Sequence, residues 1–333
     1  MHVQNISRNA SNITKEANEW DVESLSCYHF NSVHYSIGES SLVWYIISFV
    51  VNGVVQSIAT VINLLILLAI SKTPSLHSPS NTLLFGLALS DLGVGLIVHP
   101  LFLLHMIGKL ARNRDVFCHA GIAAEIAANA LCIISLLTVT AVSLDRYLAL
   151  QLHLRYKQLI TIKRVTLVIG FIWVAGTTIG SLWLYKPEVI KFAAMATIAI
   201  CLMAATYSYF KIYRAVSRHY FSTLALQCSV QQYHVDQAVN LAKFKAHALS
   251  TFWVYCLIIV CYFPYFCVLI AIMRSGLSTT TIFWYEMTAI LIFINSFLNP
   301  LVFCWRLREI RHAVKKSALN IVLRLSCKTE SSN

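Results

Sequence analysis

The sequence predicts an all-α membrane protein: a seven-transmembrane helix bundle with a short amphipathic helix after the seventh span. Three observations carry that expectation. Hydrophobic residues make up 58% of the 333-residue chain and charged residues only 12%, with a mean hydropathy of +0.67. Soluble domains carry roughly twice that charged share. The apolar residues gather into seven runs, each near the roughly 20 residues that a helix needs to cross the hydrocarbon core. Lysine and arginine are shared unevenly between the two sets of connecting loops.

The runs cover 43–70, 82–107, 117–144, 165–185, 189–212, 248–273 and 282–304. Each is expected to be helical, because lipid offers no partner to an open backbone. Spanning strands would alternate in polarity over about ten residues, and these runs do not. With the N-terminus outside, the cytoplasmic side receives more than twice as many lysines and arginines as the outer side, where Lys109, Arg114 and Arg274 fall. That bias obeys the positive-inside rule. It also turns the +12 net charge away from nucleic acid and toward the membrane.

Residues 1–42 read as an extracellular tail, 43–304 as the seven-span domain, and 305–333 as a cytoplasmic amphipathic helix and tail. The first part holds three glycosylation sequons, at Asn5, Asn9 and Asn12, the pattern of a luminal segment. No basic-then-apolar leader follows Met1, so the first span is expected to act as the targeting signal. The link between spans four and five shrinks to Lys186-Pro187-Glu188. The polar stretch 214–245 is expected to extend helices five and six. After Trp305, Leu307, Ile310, Val314 and Leu319 fall on one helical face and Arg308, Arg311, Lys315 and Lys316 on the other, which suits anionic lipid.

Six of the ten cysteines (Cys132, Cys201, Cys256, Cys261, Cys267 and Cys304) lie in spans, where cysteine serves as a small buried hydrophobe. Cys228 and Cys327 fall on the reducing side. Cys27 and Cys118 face the oxidising side, where they could pair and tie the tail to the third span. Cys327, after the basic amphipathic segment, is a palmitoylation candidate.

Polar residues inside lipid-spanning runs are costly and mark function. Here they come in a particular order: Asn63 in the first run, Leu87-Ala88-Leu89-Ser90-Asp91 in the second, and Asp145-Arg146-Tyr147 ending the third. Trp173 follows in the fourth and Tyr209 in the fifth. Cys261-Tyr262-Phe263-Pro264 lies in the sixth and Asn299-Pro300-Leu301-Val302-Phe303 in the seventh. Over about 43–320 this ordered set resembles the rhodopsin-like (class A) G-protein-coupled receptors, with partial likeness to the melanocortin, adenosine and amine subgroups.

The resemblance implies a plasma-membrane receptor whose partner is a heterotrimeric G protein. It assigns Arg146 the central role: paired with Asp145 at rest, and released to the G protein when helix six swings outward. Tyr147, Tyr209, Tyr262, Pro264, Asn299, Pro300 and Phe303 belong to that switch, and Leu154 would insert into the G protein. Pro264 and Pro300 each remove an intrahelical bond and are expected to kink their helices. Asp91, Ser135, Asn295, Ser296 and Asn299 resemble the family's sodium pocket, and their hard oxygens suit Na⁺; a water-bridged network is the alternative.

Several residues depart from the family pattern. Tyr262 stands for a tryptophan, Phe303 for a tyrosine and Cys201 for a proline. Lys243-Phe244-Lys245 offers no carboxylate to hold Arg146, so agonist-independent signalling is expected. Cys118 precedes the usual cysteine position and the second outer loop has none, so the family's disulfide is not expected. The seventh run has no lysine, hence no retinal Schiff base.

The ligand is extracellular, a small molecule or a peptide. Ala128, beside Asn129, stands where amine receptors carry an aspartate, which disfavours an ordinary biogenic amine. Glu125, one turn higher on the same face, is the best acidic candidate, unless His105 or Arg114 pairs with it structurally. Cys132 and Thr197 could line the same cavity. So could His105, Tyr262, Tyr265, Phe266, Tyr285 and Glu286. With only Glu125 visible from an acidic group, calcium is not expected.

Two other classes compete. A transporter or channel could conduct through the Asp91 cluster, but neither internal repeats nor Gly-rich broken helices support it. An enzyme would need a metal set, a Ser-His-Asp grouping or a Gly-rich phosphate loop, and none is present.

Overall fold

The computed structural model describes residues 39–111, 113–152, 155–227, 234–276 and 278–330. Among them only helices and turns occur. The order is α1 (Glu39–Lys72), a 3-10 turn (Pro74–Leu76), α2 (Pro79–Gly93), a π turn (Val94–Val98), α3 (His99–Leu110), α4 (Arg114–Leu152) and α5 (Tyr156–Leu159). Then come α6 (Ile162–Ser181), a 3-10 turn (Leu182–Leu184), α7 (Pro187–Gln227), α8 (His234–Ser275), α9 (Thr279–Arg306) and α10 (Arg308–Glu330). Seven stretches are long and apolar enough to cross a membrane: Leu42–Lys72, Pro79–Leu110, Asp115–Leu152, Ile162–Ser181, Val189–Ala215, Tyr255–Ser275 and Thr280–Trp305. The chain is an all-α, multi-pass seven-helix bundle. Spans three to seven are α4, α6, α7, α8 and α9; the second span is α2, the π turn and α3 together.

Helix starts follow from local chemistry. Ser78 accepts from the Asn81 amide with Pro79 in the first turn. Thr161 accepts from the Arg164 amide. Ser278 and Thr281 satisfy each other's backbone amides in a capping box. Each pairs amide donors that a helix start leaves open. Gly276, at φ +75°, ends α8 in the left-handed region that glycine enters without steric cost.

The second span contains the one irregularity that the apolar pattern did not foresee. Pro100 has no N–H for the Leu96 carbonyl and its ring crowds that carbonyl. The backbone accommodates this by widening to a π turn over Val94–Val98, where Gly93 and Gly95 already lower helix preference. The wide turn re-phases α3, which carries His105 and Lys109.

Polarity is arranged for lipid. Leu167 and Phe171 of α6 are both 74% exposed, as hydrocarbon-facing side chains are, while Asn63, Asp91, Ser135, Ser296 and Asn299 are buried. The central helix is α4, which packs against α2, α3, α6, α7 and α8. Its contact with α6 depends on small residues: a Cβ at Gly180 would lie 2.7 to 2.8 Å from the Ala130 backbone. Beyond the seventh span, Leu307 breaks the helix in an extended conformation. α10 then packs on α1 and α9 through buried Ile310 and Ala313. It runs well past the expected end at Leu319.

Candidate functional site

The polar residues of the bundle form three layers stacked along α4, named outer, middle and inner in order from its N-terminal end. The outer layer is a cavity of about 950 Å3, mouth included. Its walls are apolar, with polar groups from α3, α4, α7, α8 and α9. His105, Glu125, Ala128, Asn129, Cys132, Thr197, Tyr262, Tyr265, Tyr285 and Glu286 all line it, as the sequence suggested. Phe266 does not: it packs against the hydrophobic core, since at 3.6 residues per turn it falls on the far side of Tyr262 from Tyr265, at the edge of the face that meets the cavity. Tyr262 forms part of the floor and donates to the Cys132 carbonyl at 3.4 Å. Thr197 donates to the Ala193 carbonyl.

The two carboxylates of this cavity differ. Glu286 accepts from Lys109 Nζ at 2.7 and 3.0 Å and from the Tyr45 hydroxyl at 2.7 Å. Lys109 is only 2% exposed and sits 3.9 Å from the Tyr45 ring centroid. Lys109 therefore lies within the second span rather than beyond its expected end at 107. The second span continues to Leu110, and its last turn points this ammonium between α1 and α9. Neither Tyr45 nor Lys109 was anticipated in the site; the only hint was a lysine one turn after His105. Glu125, by contrast, accepts from Tyr285 at 3.0 Å and Asn129 at 3.3 Å. It forms no ion pair with His105, which lies 3.9 Å from Glu286. The Arg114 side chain lies outside the described residues.

The middle layer centres on Asp91, which has no exposed surface. Ser135 and Ser296 donate to Oδ1 at 2.9 and 3.0 Å, and Asn299 donates to Oδ2 at 3.0 Å. Asn63 donates to the Ser296 carbonyl at 3.0 Å. Spans two, three and seven thus meet at one carboxylate, and span one joins them through Asn63. Asn295 is buried, one turn before Asn299, and its Oδ1 has no hydrogen-bond partner. A carboxylate, two hydroxyls and an orphaned amide oxygen fit a hard monovalent cation. Below lies a small hollow lined by Asn63, Asp91, Asn299, Pro300 and Phe303.

The inner layer holds Asp145, Arg146 and Tyr147. Contrary to expectation, Asp145 does not pair with Arg146. It accepts from Ser80 and from Tyr156, both at 2.6 Å, because α5 brings Tyr156 beneath the end of α4. Burial, then the bond to Asp145, pushes the Tyr156 hydroxyl up to about 12. Arg146 has no hydrogen bond or ion pair among the described residues. Tyr147 packs edge-on against Tyr207, and Tyr209 stacks on Tyr255 with ring centroids 5.3 Å apart. Pro264 and Pro300 lie inside α8 and α9. Leu154, the Lys243 and Lys245 side chains, Cys27, Cys327, Asn5, Asn9 and Asn12 lie outside the described residues. Cys118 is disulfide-bonded.

The described residues thus form a seven-helix membrane bundle with a cavity at one end, a buried polar midplane, and at the other end an arginine with no hydrogen bond or ion pair among them. Comparison with known proteins gives the family: residues 62–303 match the 7 transmembrane receptor (rhodopsin family), and the chain belongs to it. It is 26% identical over 276 residues to the histamine H2 receptor of Cavia porcellus, covering 75% of this chain and 73% of that one. It is 24% identical over 203 residues to the 5-hydroxytryptamine receptor 1B of Equus caballus, covering 61% of this chain and half the length of that receptor. The corresponding receptor of Didelphis virginiana gives 25% over the same length. These relatives are receptors, not enzymes.

Proposed function

We propose that this receptor works at the plasma membrane with its N-terminus outside, and reports occupancy of the outer cavity to a heterotrimeric G protein through outward movement of α8. The observation that favours this is the continuity of α4. One helix carries Glu125 and Cys132 in the cavity, Ser135 on Asp91, and Arg146 with no partner among the described residues at the inner end. A ligand that binds one arrangement of this column more tightly shifts the equilibrium toward it. Arg146 and Tyr147 would meet the G protein together with Leu154. Tyr209, Tyr262, Pro264, Asn299, Pro300 and Phe303 would form the moving joint.

The midplane would hold Na⁺ through Asp91, Ser135, Asn295, Ser296 and Asn299, favouring the resting arrangement. The basic face of α10 would lie on anionic lipid, with Cys327 palmitoylated nearby. Asn5, Asn9 and Asn12 would carry glycans, and Cys27 would be the partner of Cys118. The relatives are named for histamine and 5-hydroxytryptamine. In this chain Ala128 takes the place of the amine-binding aspartate, so an ordinary amine contact at that position is disfavoured.

The test is basal cAMP and inositol phosphate in transfected cells, for wild type and Arg146→Ala at matched surface expression. Signal in one channel that the substitution abolishes supports coupling and names the pathway. Signal that persists in Arg146→Ala overturns the role given to that arginine. Silence in both channels, with ion flux, would favour a conduction path through the Asp91 cluster.

A further inference from the structure

We infer that the outer cavity recognises an organic cation and that Glu125 is its counter-ion; this deepens the receptor proposal and rests on it. Two carboxylates line the cavity, and only one is matched. Glu286 is neutralised by Lys109 and further held by Tyr45. Glu125 receives both of its hydrogen bonds on Oε2, from Tyr285 and Asn129. Its Oε1 accepts none from any described residue, and no described cationic side chain forms an ion pair with it within 4 Å, His105 acting on it only from further away.

Among the described residues His105 is the one cationisable side chain lining the cavity, and it is committed elsewhere. Its Nδ1–H donates to the Phe117 carbonyl at 3.0 Å and its ring stacks on Phe117. Its Nε2 turns to Glu286, 3.9 Å away. An ionised carboxylate in an apolar wall is costly unless paired. A ligand cation beside Oε1 removes that cost. The rings of Tyr265 and Tyr285 line the same region, and aromatic faces attract cations further.

A metal ion fits less well, since no group of three His, Cys, Asp or Glu side chains suited to one occurs among the described residues. The walls are mostly apolar with a few converging polar groups, as small-molecule sites are. Glu125 precedes Ala128 by three residues, about 4.5 Å along a helix. The cation would therefore sit one turn nearer the outer face than a contact at Ala128 would place it.

Cys132 provides a probe that needs no known ligand. It lies two turns below Glu125 on the same face of α4 and lines the same cavity. The full chain in lipid nanodiscs is treated with three thiol reagents. These are aminoethyl methanethiosulfonate (cationic), sulfonatoethyl methanethiosulfonate (anionic) and methyl methanethiosulfonate (neutral). Labelling of Cys132 is read by peptide mass spectrometry, with Cys132→Ser as the blank. In wild type the cationic reagent should outpace the anionic one. Its rate relative to the neutral reagent should fall roughly tenfold in Glu125→Gln and survive in Glu125→Asp. Equal cationic and anionic rates in wild type, or a ratio unmoved by Glu125→Gln, overturns the inference; the wild-type arm decides even if the variant does not fold. Labelling requires no G protein. Lost cation preference with intact signalling sinks only the counter-ion, and intact preference without signalling sinks only the receptor coupling.

Discussion

At the scale of single residues, Lys109 and Glu286 form a buried ion pair whose value depends on both members. Removing one takes from the other its nearest opposite charge, a cost of up to about 3–5 kcal/mol. Lys109→Met is therefore expected to lower the thermal unfolding midpoint of the purified receptor sharply, and Lys109→Met with Glu286→Gln to restore most of it. A double variant no better than the single one would show that the pair is not the source. Asp145 gives a second expectation. Ser80 and Tyr156 hold it away from its neighbour. Ser80→Ala with Tyr156→Phe leaves Asp145 beside Arg146 as the nearest cation, so basal signalling should fall below wild type in the cAMP or inositol phosphate assay; a rise would refute the argument. The Asp91 partners were legible from residue type alone, because serine and asparagine in lipid-spanning runs must find polar company. Tyr45 and Tyr156 were not, since a tyrosine near a helix end is ordinary and only packing shows what its hydroxyl reaches.

At the scale of elements, α4 and α6 approach as closely as Gly180 permits. An added Cβ there meets the Ala130 backbone, whereas at Gly170 nothing lies within 4 Å. Gly180→Ala should destabilise by about 1–3 kcal/mol, as overpacking does. Gly170→Ala should not destabilise measurably by the same thermal unfolding measurement. Equal effects would mean that helix propensity, not packing, decides. The seven spans were visible in the apolar runs because lipid demands length and continuity. Their ends were less visible: the second span extends past the expected 107 to Leu110 and α10 past Leu319. The π turn was not read from the pattern either. Its cause, Pro100 following Gly93 and Gly95, is in the sequence, but proline in a span can be accommodated by a kink, a bulge or a neighbour.

At the scale of the whole molecule, Asp91 ties spans two, three and seven together, and span one joins them through Asn63. If Na⁺ binds there and favours rest, replacing sodium by N-methyl-D-glucamine should raise basal nucleotide exchange in membranes carrying wild type. It should leave Asp91→Asn unmoved. A wild type indifferent to the exchange would exclude sodium as the regulator. By itself the sequence determined the class of fold, the number of spans and the residue types at the midplane, because each follows from how a chain meets hydrocarbon. Only the tertiary structure decided which charges are matched. Whether Lys109 faces water or Glu286, whether Asp145 holds Arg146 or Tyr156, and whether Glu125 has a cation all depend on side chains up to 241 positions apart meeting across helices. No local pattern encodes that distance.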